Sequence, residues 1–147
     1  MEPIYEGKAK RLFTTDNPNE LRMEFKNDAT AFDGKKKAQF DEKGRLNAAI
    51  SNLIYGMLEE RGIPTHFVRA VSDTEVIVKK LEILMIEVIV RNTAAGSFCR
   101  RTGTDEGWDF SEPIVEFSIK SDELGDPLVN EAYIRELKLA TADEVAH

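Results

Sequence analysis

Residues 45–61 place the strongest constraint on what this chain can fold into. Leu46, Ala49, Ile50, Leu53, Ile54, Met57 and Leu58 recur at helical spacing and predict one amphipathic helix. A helix of this length is marginal alone in water, so its apolar stripe requires a surface to cover it. Gly62 stands where a C′ glycine ends a helix, and Pro64 follows. The methionine and tyrosine of this stretch read as core side chains. Strand-like segments on both sides supply the surface. Leu21, Met23 and Phe25 alternate with Arg22, Glu24 and Lys26, the period of a half-buried strand. Residues 4–15 read as one strand broken by Gly7, joined to it by the turn Asp16-Asn17-Pro18-Asn19. Residues 66–71, 75–81 and 83–91 read as further strands, with Ser72-Asp73-Thr74 as a turn. The run from Ile83 to Val90 is apolar except for Glu87, which predicts a central strand covered on both faces. Between hairpin and helix, residues 27–44 are polar and include Lys35, Lys36 and Lys37, which reads as a solvated loop.

Beyond Arg91 the character changes. Residues 92–101 form a turn entering a short helix, and Thr102-Gly103-Thr104 breaks it. Residues 113–119 predict another strand, and residues 121–127 a polar, acidic loop. Residues 130–139 are helical with Asn130 as N-cap. Thr141 and Glu144 have the spacing of a capping box, which announces one more helix just before the sequence stops. The pattern is α+β: an antiparallel-sheet N-terminal lobe with one packed helix over residues 1–83, then part of a second α+β lobe over residues 84–147.

Composition removes several function classes. Lys and Arg total 20 against 27 Asp and Glu, a net charge of −7, which argues against a general nucleic-acid binder. An apolar content of 41% with eight Phe argues against disorder. No apolar run reaches the roughly 18 residues of a membrane span, and residues 1–11 lack the apolar core of a signal peptide. One cysteine, Cys99, makes no internal disulfide, so a reducing cytoplasm is expected. Two histidines leave no zinc cluster.

Three segments could carry chemistry. In Tyr5-Glu6-Gly7-Lys8-Ala9-Lys10-Arg11, Gly7 permits close backbone approach to a ligand, and Lys8 and Lys10 would share a strand face toward a polyphosphate. An edge strand guarded by lysines explains the same residues. In Arg91-Asn92-Thr93-Ala94-Ala95-Gly96-Ser97, a strand-end arginine, small residues and a helix start could hold a phosphate monoester. Close packing, with Arg91 paired to Glu87, is the competing explanation. Lys120, Asp122 and Asp126 lie in a loop that is either simply solvated or orients an amine and a carboxylate. Cys99 and His66 read as packing residues.

Five ordered blocks carry a family likeness. They are Tyr5 to Lys10, Gln39 to Gly44, Ser72 to Glu75, Glu87 to Ser97 and Asp126 to Glu131. Together they resemble the phosphoribosylaminoimidazole-succinocarboxamide (SAICAR) synthetase family, most specifically over Glu87 to Ser97. The resemblance implies a kinase-like N-lobe and an ATP-dependent ligase of purine biosynthesis. It would join L-aspartate to carboxyaminoimidazole ribonucleotide (CAIR), with ATP and Mg2+. It also implies small-molecule partners, no nucleic acid, no membrane, and a homo-oligomer as an open option. By the same likeness, Gly7, Lys8, Ala9 and Lys10 cover phosphates, while Lys79, Leu81 and Ile83 border the adenine. Arg91 and Ser97 would hold the ribonucleotide phosphate. Asp33, Lys120, Asp122 and Asp126 are assigned to the imidazole carboxylate and aspartate, with Lys10, Lys120 and Asp126 as the catalytic set. Met85 stands where the family signature has proline. The family's later signature and its magnesium-binding acids have no counterpart in these 147 residues. The resemblance therefore implies a chain that lacks the C-terminal part, and a fragment that binds nucleotide without turnover is the alternative.

Overall fold

The computed structural model describes residues 2–31, 36–39 and 42–146. They fall into two compact units, Met1–Glu82 and Ile83–His147.

The first unit begins with β1 (Tyr5–Glu6), β2 (Lys10–Thr14) and β3 (Glu20–Phe25), followed by the hairpin β4 (Asp28–Ala31) and β5 (Lys36–Gln39). Helix α1 (Lys43–Glu59) leads to β6 (Phe67–Ala70) and β7 (Glu75–Lys79). The main sheet is antiparallel in the order β1-β2-β3-β7-β6. Register divides its residues between two faces. Leu12 and Val76 flank Met23, while Leu21 and Phe67 flank Val78. These side chains, with Phe25 and Ala48 of α1, form the core. On the opposite face Phe13 and Ile77 are buried. Around them run the ion pairs Arg11–Glu24, Arg22–Glu75 and Arg69–Glu20.

Three expectations for this unit need correction. Residues 4–15 are not one broken strand. Tyr5 pairs with Leu12 and Glu6 with Arg11, so the chain reverses at Gly7. The Gly7 N–H donates to the Lys10 carbonyl at 2.9 Å, which closes the turn over Lys8 and Ala9. Glycine suits this position because the Tyr5 ring folds against it: a Cβ there would lie 3.1 Å from the Tyr5 hydroxyl oxygen. Lys8 and Lys10 therefore do not share a strand face. Second, residues 27–44 hold the β4–β5 hairpin rather than only a loop. Third, α1 does not bury its apolar stripe. It packs on β3 and β6. The buried positions are Gly44 and Ala48. Tyr55 stacks on Phe67 at 5.6 Å. Small residues bring the helix axis close to a sheet whose own side chains supply the bulk. Leu46, Ile50, Leu53, Ile54 and Met57 face outward. Met57 is thus no core residue, whereas Tyr55 is half-buried.

The two glycines of α1 make opposite predictions. Alanine is favoured over glycine inside a helix by about 1 kcal/mol. A Cβ at Gly56 meets nothing within 4 Å, so Gly56→Ala is expected to stabilise by about that amount. A Cβ at Gly44 would lie 2.6 Å from the Phe25 carbonyl oxygen, which is backbone and cannot step aside. Gly44→Ala is expected to destabilise by about 1–3 kcal/mol. Urea midpoints of the two variants check the sign, and a shift in the same direction for both would refute this packing.

The second unit holds β8 (Ile86–Thr93), α2 (Ser97–Thr102), β9 (Asp109–Ile119), β10 (Leu128–Val129), α3 (Glu131–Glu136) and α4 (Ala142–Ala146). Its sheet runs β10-β9-β8. Among the described residues β8 is therefore an edge strand and not the expected central one. Val88, Val90 and Val115 of the β8–β9 pair are exposed. Apolar composition signals a strand meant to be covered without saying what covers it. The strand starts at Ile86, three residues later than its apolar run. Both predicted caps are present. Asn130 Oδ1 accepts the Tyr133 N–H at 3.1 Å. The Thr141 hydroxyl accepts the Glu144 N–H at 3.2 Å while Glu144 reaches back to the Thr141 N–H at 2.7 Å. That hydrogen bond from the Thr141 backbone draws the Glu144 carboxyl below its ordinary range.

Candidate active site

In the first unit the Gly7–Lys10 turn is tied down. The Lys26 N–H donates to the Ala9 carbonyl at 2.8 Å. Lys26 Nζ donates to Glu6 Oε1 at 2.5 Å and lies 3.4 Å from the Gly7 carbonyl. The bond from Lys26 holds the Glu6 carboxyl below the usual carboxylate range. Lys10, at the start of β2, points back over the core face, its Nζ 5.4 Å from the Phe25 ring centroid. Burial lowers its pKa from the ordinary lysine value.

His66 enters from the chain just before β6 and meets the Tyr55 ring edge-on at 5.1 Å. Burial lowers its pKa, and the Lys10 and Lys79 ammonium groups lower it further. Lys79 Nζ donates to the Thr65 carbonyl at 3.1 Å. The fold thus brings Lys10, Lys79 and His66 into one electrostatic neighbourhood. Two were sequence candidates and the third read as a packing residue; its partners are distant in sequence, so no local pattern reveals them. Leu81 and Ile83 are exposed. Asp33 lies outside the described residues.

In the second unit Arg91 is the centre. On the antiparallel ladder Ile89 faces Glu116, which puts Arg91 diagonally across from that carboxylate. Arg91 Nε donates to Glu116 Oε2 at 2.7 Å, and its Nη2 donates to the Ser97 hydroxyl at 3.1 Å. Arg101 of α2 donates to Glu116 Oε1 at 2.7 Å. Both guanidinium groups lie about 6 Å from the Phe98 ring. The packing alternative had paired Arg91 with Glu87. Instead Glu87 pairs with Lys120 at 3.3 Å, and Glu116 takes Arg91. Glu116 and Arg101 escaped the sequence reading because an acid in an alternating strand looks like any solvent-facing residue.

One carboxylate shared by two guanidinium groups leaves a surplus of positive charge. The bonds described occupy two of the five N–H donors of Arg91. Such a fork, already oriented, suits a phosphate. The helix end contributes less than the sequence suggests: α2 has six residues, and Glu106 accepts the Gly96 N–H at 2.9 Å.

The loop after β9 closes on itself. Asp126 Oδ1 accepts the Ser121 N–H at 2.8 Å, and the Asp126 N–H donates to the Ser121 carbonyl at 3.0 Å. Gly125 and Asp126 both have positive φ, 71° and 49°, so the Asp126 side chain is set by a tight, partly strained turn. Asp122 belongs to the same turn, its carbonyl accepting the Gly125 N–H at 3.3 Å. Among the described residues no three His, Cys, Asp or Glu side chains converge as metal ligands. None of their helices is long and apolar enough to cross a membrane.

Sheet, helix and guanidinium fork together define an α+β protein of two units, each holding a cluster of cationic side chains. The sequence model of the SAICAR synthetase family matches residues 3–147, and the chain belongs to that family. It is 63% identical over 144 residues to the phosphoribosylaminoimidazole-succinocarboxamide synthase of Akkermansia muciniphila, covering 98% of this chain and 61% of that protein. Its fold is similar to the crystal structure of the Ehrlichia chaffeensis synthase, with a TM-score of 0.95 and 46% identity over 99% of this chain and 61% of that one. It is also similar to a type-2 SAICAR synthetase in complex with ADP, with a TM-score of 0.91 and 47% identity over 97% of this chain and 60% of that one. The chain thus spans about three fifths of the length of the relatives it matches.

Proposed function

We propose that the first unit binds ATP and the second the phosphate of CAIR, as parts of a cytoplasmic ligase that makes SAICAR, ADP and phosphate from CAIR, L-aspartate and ATP. The observation that carries this is the Arg91 fork, fixed by Glu116 and bonded to Ser97. The ADP complex of the related synthetase supports the nucleotide assignment. Residues 1–83 are the nucleotide lobe in this reading and residues 84–147 part of the substrate lobe.

In the reaction an oxygen of the imidazole carboxylate attacks the γ-phosphorus of ATP, and ADP leaves. The aspartate amine then attacks the acyl phosphate carbon, loses a proton and expels phosphate. Lys8 and Lys10, on and beside the tied turn, offset the phosphate charge, and Gly7 and Ala9 let its backbone approach. Lys79, Leu81 and Ile83 border the base. Arg91 and Ser97 anchor the ribonucleotide, so that its carboxylate is presented in one orientation. Lys120 neutralises that carboxylate. Asp126, oriented by Ser121, and Asp122 receive the amine in this reading, and the family likeness assigns Asp33 to the same substrates. Mg2+ would shield the phosphates of bound ATP. The described carboxylates do not converge on a point that holds the ion, and no step is assigned to it.

The shorter span relative to known synthases favours a second reading for these 147 residues taken alone: nucleotide binding without turnover. A coupled ADP-release assay separates the two. The ligase reading expects release that depends on both CAIR and aspartate. Release without aspartate would contradict it. Calorimetry with ATP and Mg2+ expects binding by the chain in either case, and no heat at millimolar nucleotide would remove the assignment of the first unit.

A further inference from the structure

The loop between α2 and β9 folds back on the segment that leads into α2. Thr93 Oγ1 donates to Asp109 Oδ1 at 2.7 Å. The Ala94 N–H donates to the Trp108 carbonyl at 2.8 Å, and the Gly107 N–H donates to the Ala94 carbonyl at 2.9 Å. These bonds fix the chain as far as Ala94, which is fully buried. Ser97, further on, carries the hydroxyl that meets Arg91. Across that gap the same loop sends one side chain: Glu106 Oε1 accepts the Gly96 N–H at 2.9 Å.

Gly96 is where a fixed orientation is hardest to keep. Its φ of 55° and ψ of −120° lie in a region closed to residues with a Cβ, and glycine has more backbone freedom than any other residue. The peptide that joins Ala95 to Gly96 is held at both ends. Its carbonyl accepts the Phe98 N–H at 3.2 Å, and its N–H donates to Glu106. Rotation of that peptide would change the direction in which the chain enters α2, and with it the place of the Ser97 hydroxyl. Glu106 is exposed, so its bond adds little to the stability of the whole. What the bond sets is local geometry.

We propose that Glu106 is a positioning residue for the phosphate of the ribonucleotide: by holding the Gly96 amide it keeps the Ser97 hydroxyl beside the Arg91 guanidinium. This role rests on the reading in which Arg91 and Ser97 hold that phosphate. Titration calorimetry on the full chain compares CAIR with its nucleoside, which lacks the phosphate. The preference for CAIR is the readout, because a general loss of structure weakens both ligands alike. Glu106→Ala is expected to cut that preference about 5- to 10-fold, with the urea midpoint of the parent chain. Glu106→Gln keeps an acceptor at the same reach and is expected to retain most of the preference. Gly96→Ala is expected to cut it as well, although a Cβ there meets nothing within 4 Å, because the strain lies in the backbone. Arg91→Ala, which removes the fork itself, separates the role of Glu106 from the assignment beneath it. If Arg91→Ala abolishes the preference and Glu106→Ala leaves it whole, the assignment stands and Glu106 has no such role. A preference that survives Arg91→Ala refutes both. Tighter binding of CAIR by Glu106→Ala would also overturn the proposal, since carboxylate and phosphate would then be competing for the Gly96 amide. So would a Glu106→Gln chain as weak as the alanine variant.

Discussion

On the proposed ligase reading, Arg91→Ala should raise the KM for CAIR by about 10- to 100-fold while leaving the KM for ATP within about twofold. A hydrogen bond to a charged group contributes about 1.5–3 kcal/mol, which sets the scale. The asymmetry follows from position. Arg91 lies on β8, whereas the Gly7–Lys10 turn and Lys79 lie in the other unit. The variant should remain folded, because Glu116 keeps its bonds from Arg101. Arg91→Lys keeps the charge but loses the planar fork, so an intermediate KM is expected. Steady-state kinetics with each substrate varied in turn provide the measurement. Equal rises in the two constants would mean that Arg91 acts on the whole fold and does not anchor the ribonucleotide.

Phe25→Ala should cost about 3–5 kcal/mol of folding stability. Phe25 is 3% exposed and packs with Met23, Ala48, Val76 and Val78. Its removal leaves a void that the ladder cannot close, because the backbone on both sides is engaged: Phe25 donates to the Thr74 carbonyl at 2.8 Å and pairs with Lys10. Against a typical total of about 5–15 kcal/mol, such a loss takes up much of the available margin. The Lys10 ammonium also loses the ring beneath it. The shift of the urea midpoint at constant slope measures the effect. A loss below about 1 kcal/mol would show that Phe25 is not a core residue.

How much of this was legible in the sequence differs from residue to residue. The alternation of Leu21, Met23 and Phe25 gave β3 and its buried face, because period two maps directly onto a pleated strand. The caps at Asn130 and Thr141 were legible because capping is local. The β1–β2 reversal was missed because a single glycine marks a kink as readily as a turn, and what decides is the pairing of Tyr5 with Leu12. The outward stripe of α1 was misassigned to the core because periodicity finds an apolar face without naming the surface it meets. In the site, the Arg91–Ser97 pair lay within six residues and could be anticipated. Glu116 lies 25 residues from Arg91, and only the β8–β9 register brings them together.

The tethered Gly7–Lys10 turn has a kinetic consequence. A phosphate loop that must fold around its ligand slows capture, because few encounters find it closed. Here Lys26 holds the turn from both backbone and side chain through bonds made within the protein. Under the proposed nucleotide assignment, capture should then proceed near the rate of encounter, and affinity should be tuned through the residence time of the bound molecule.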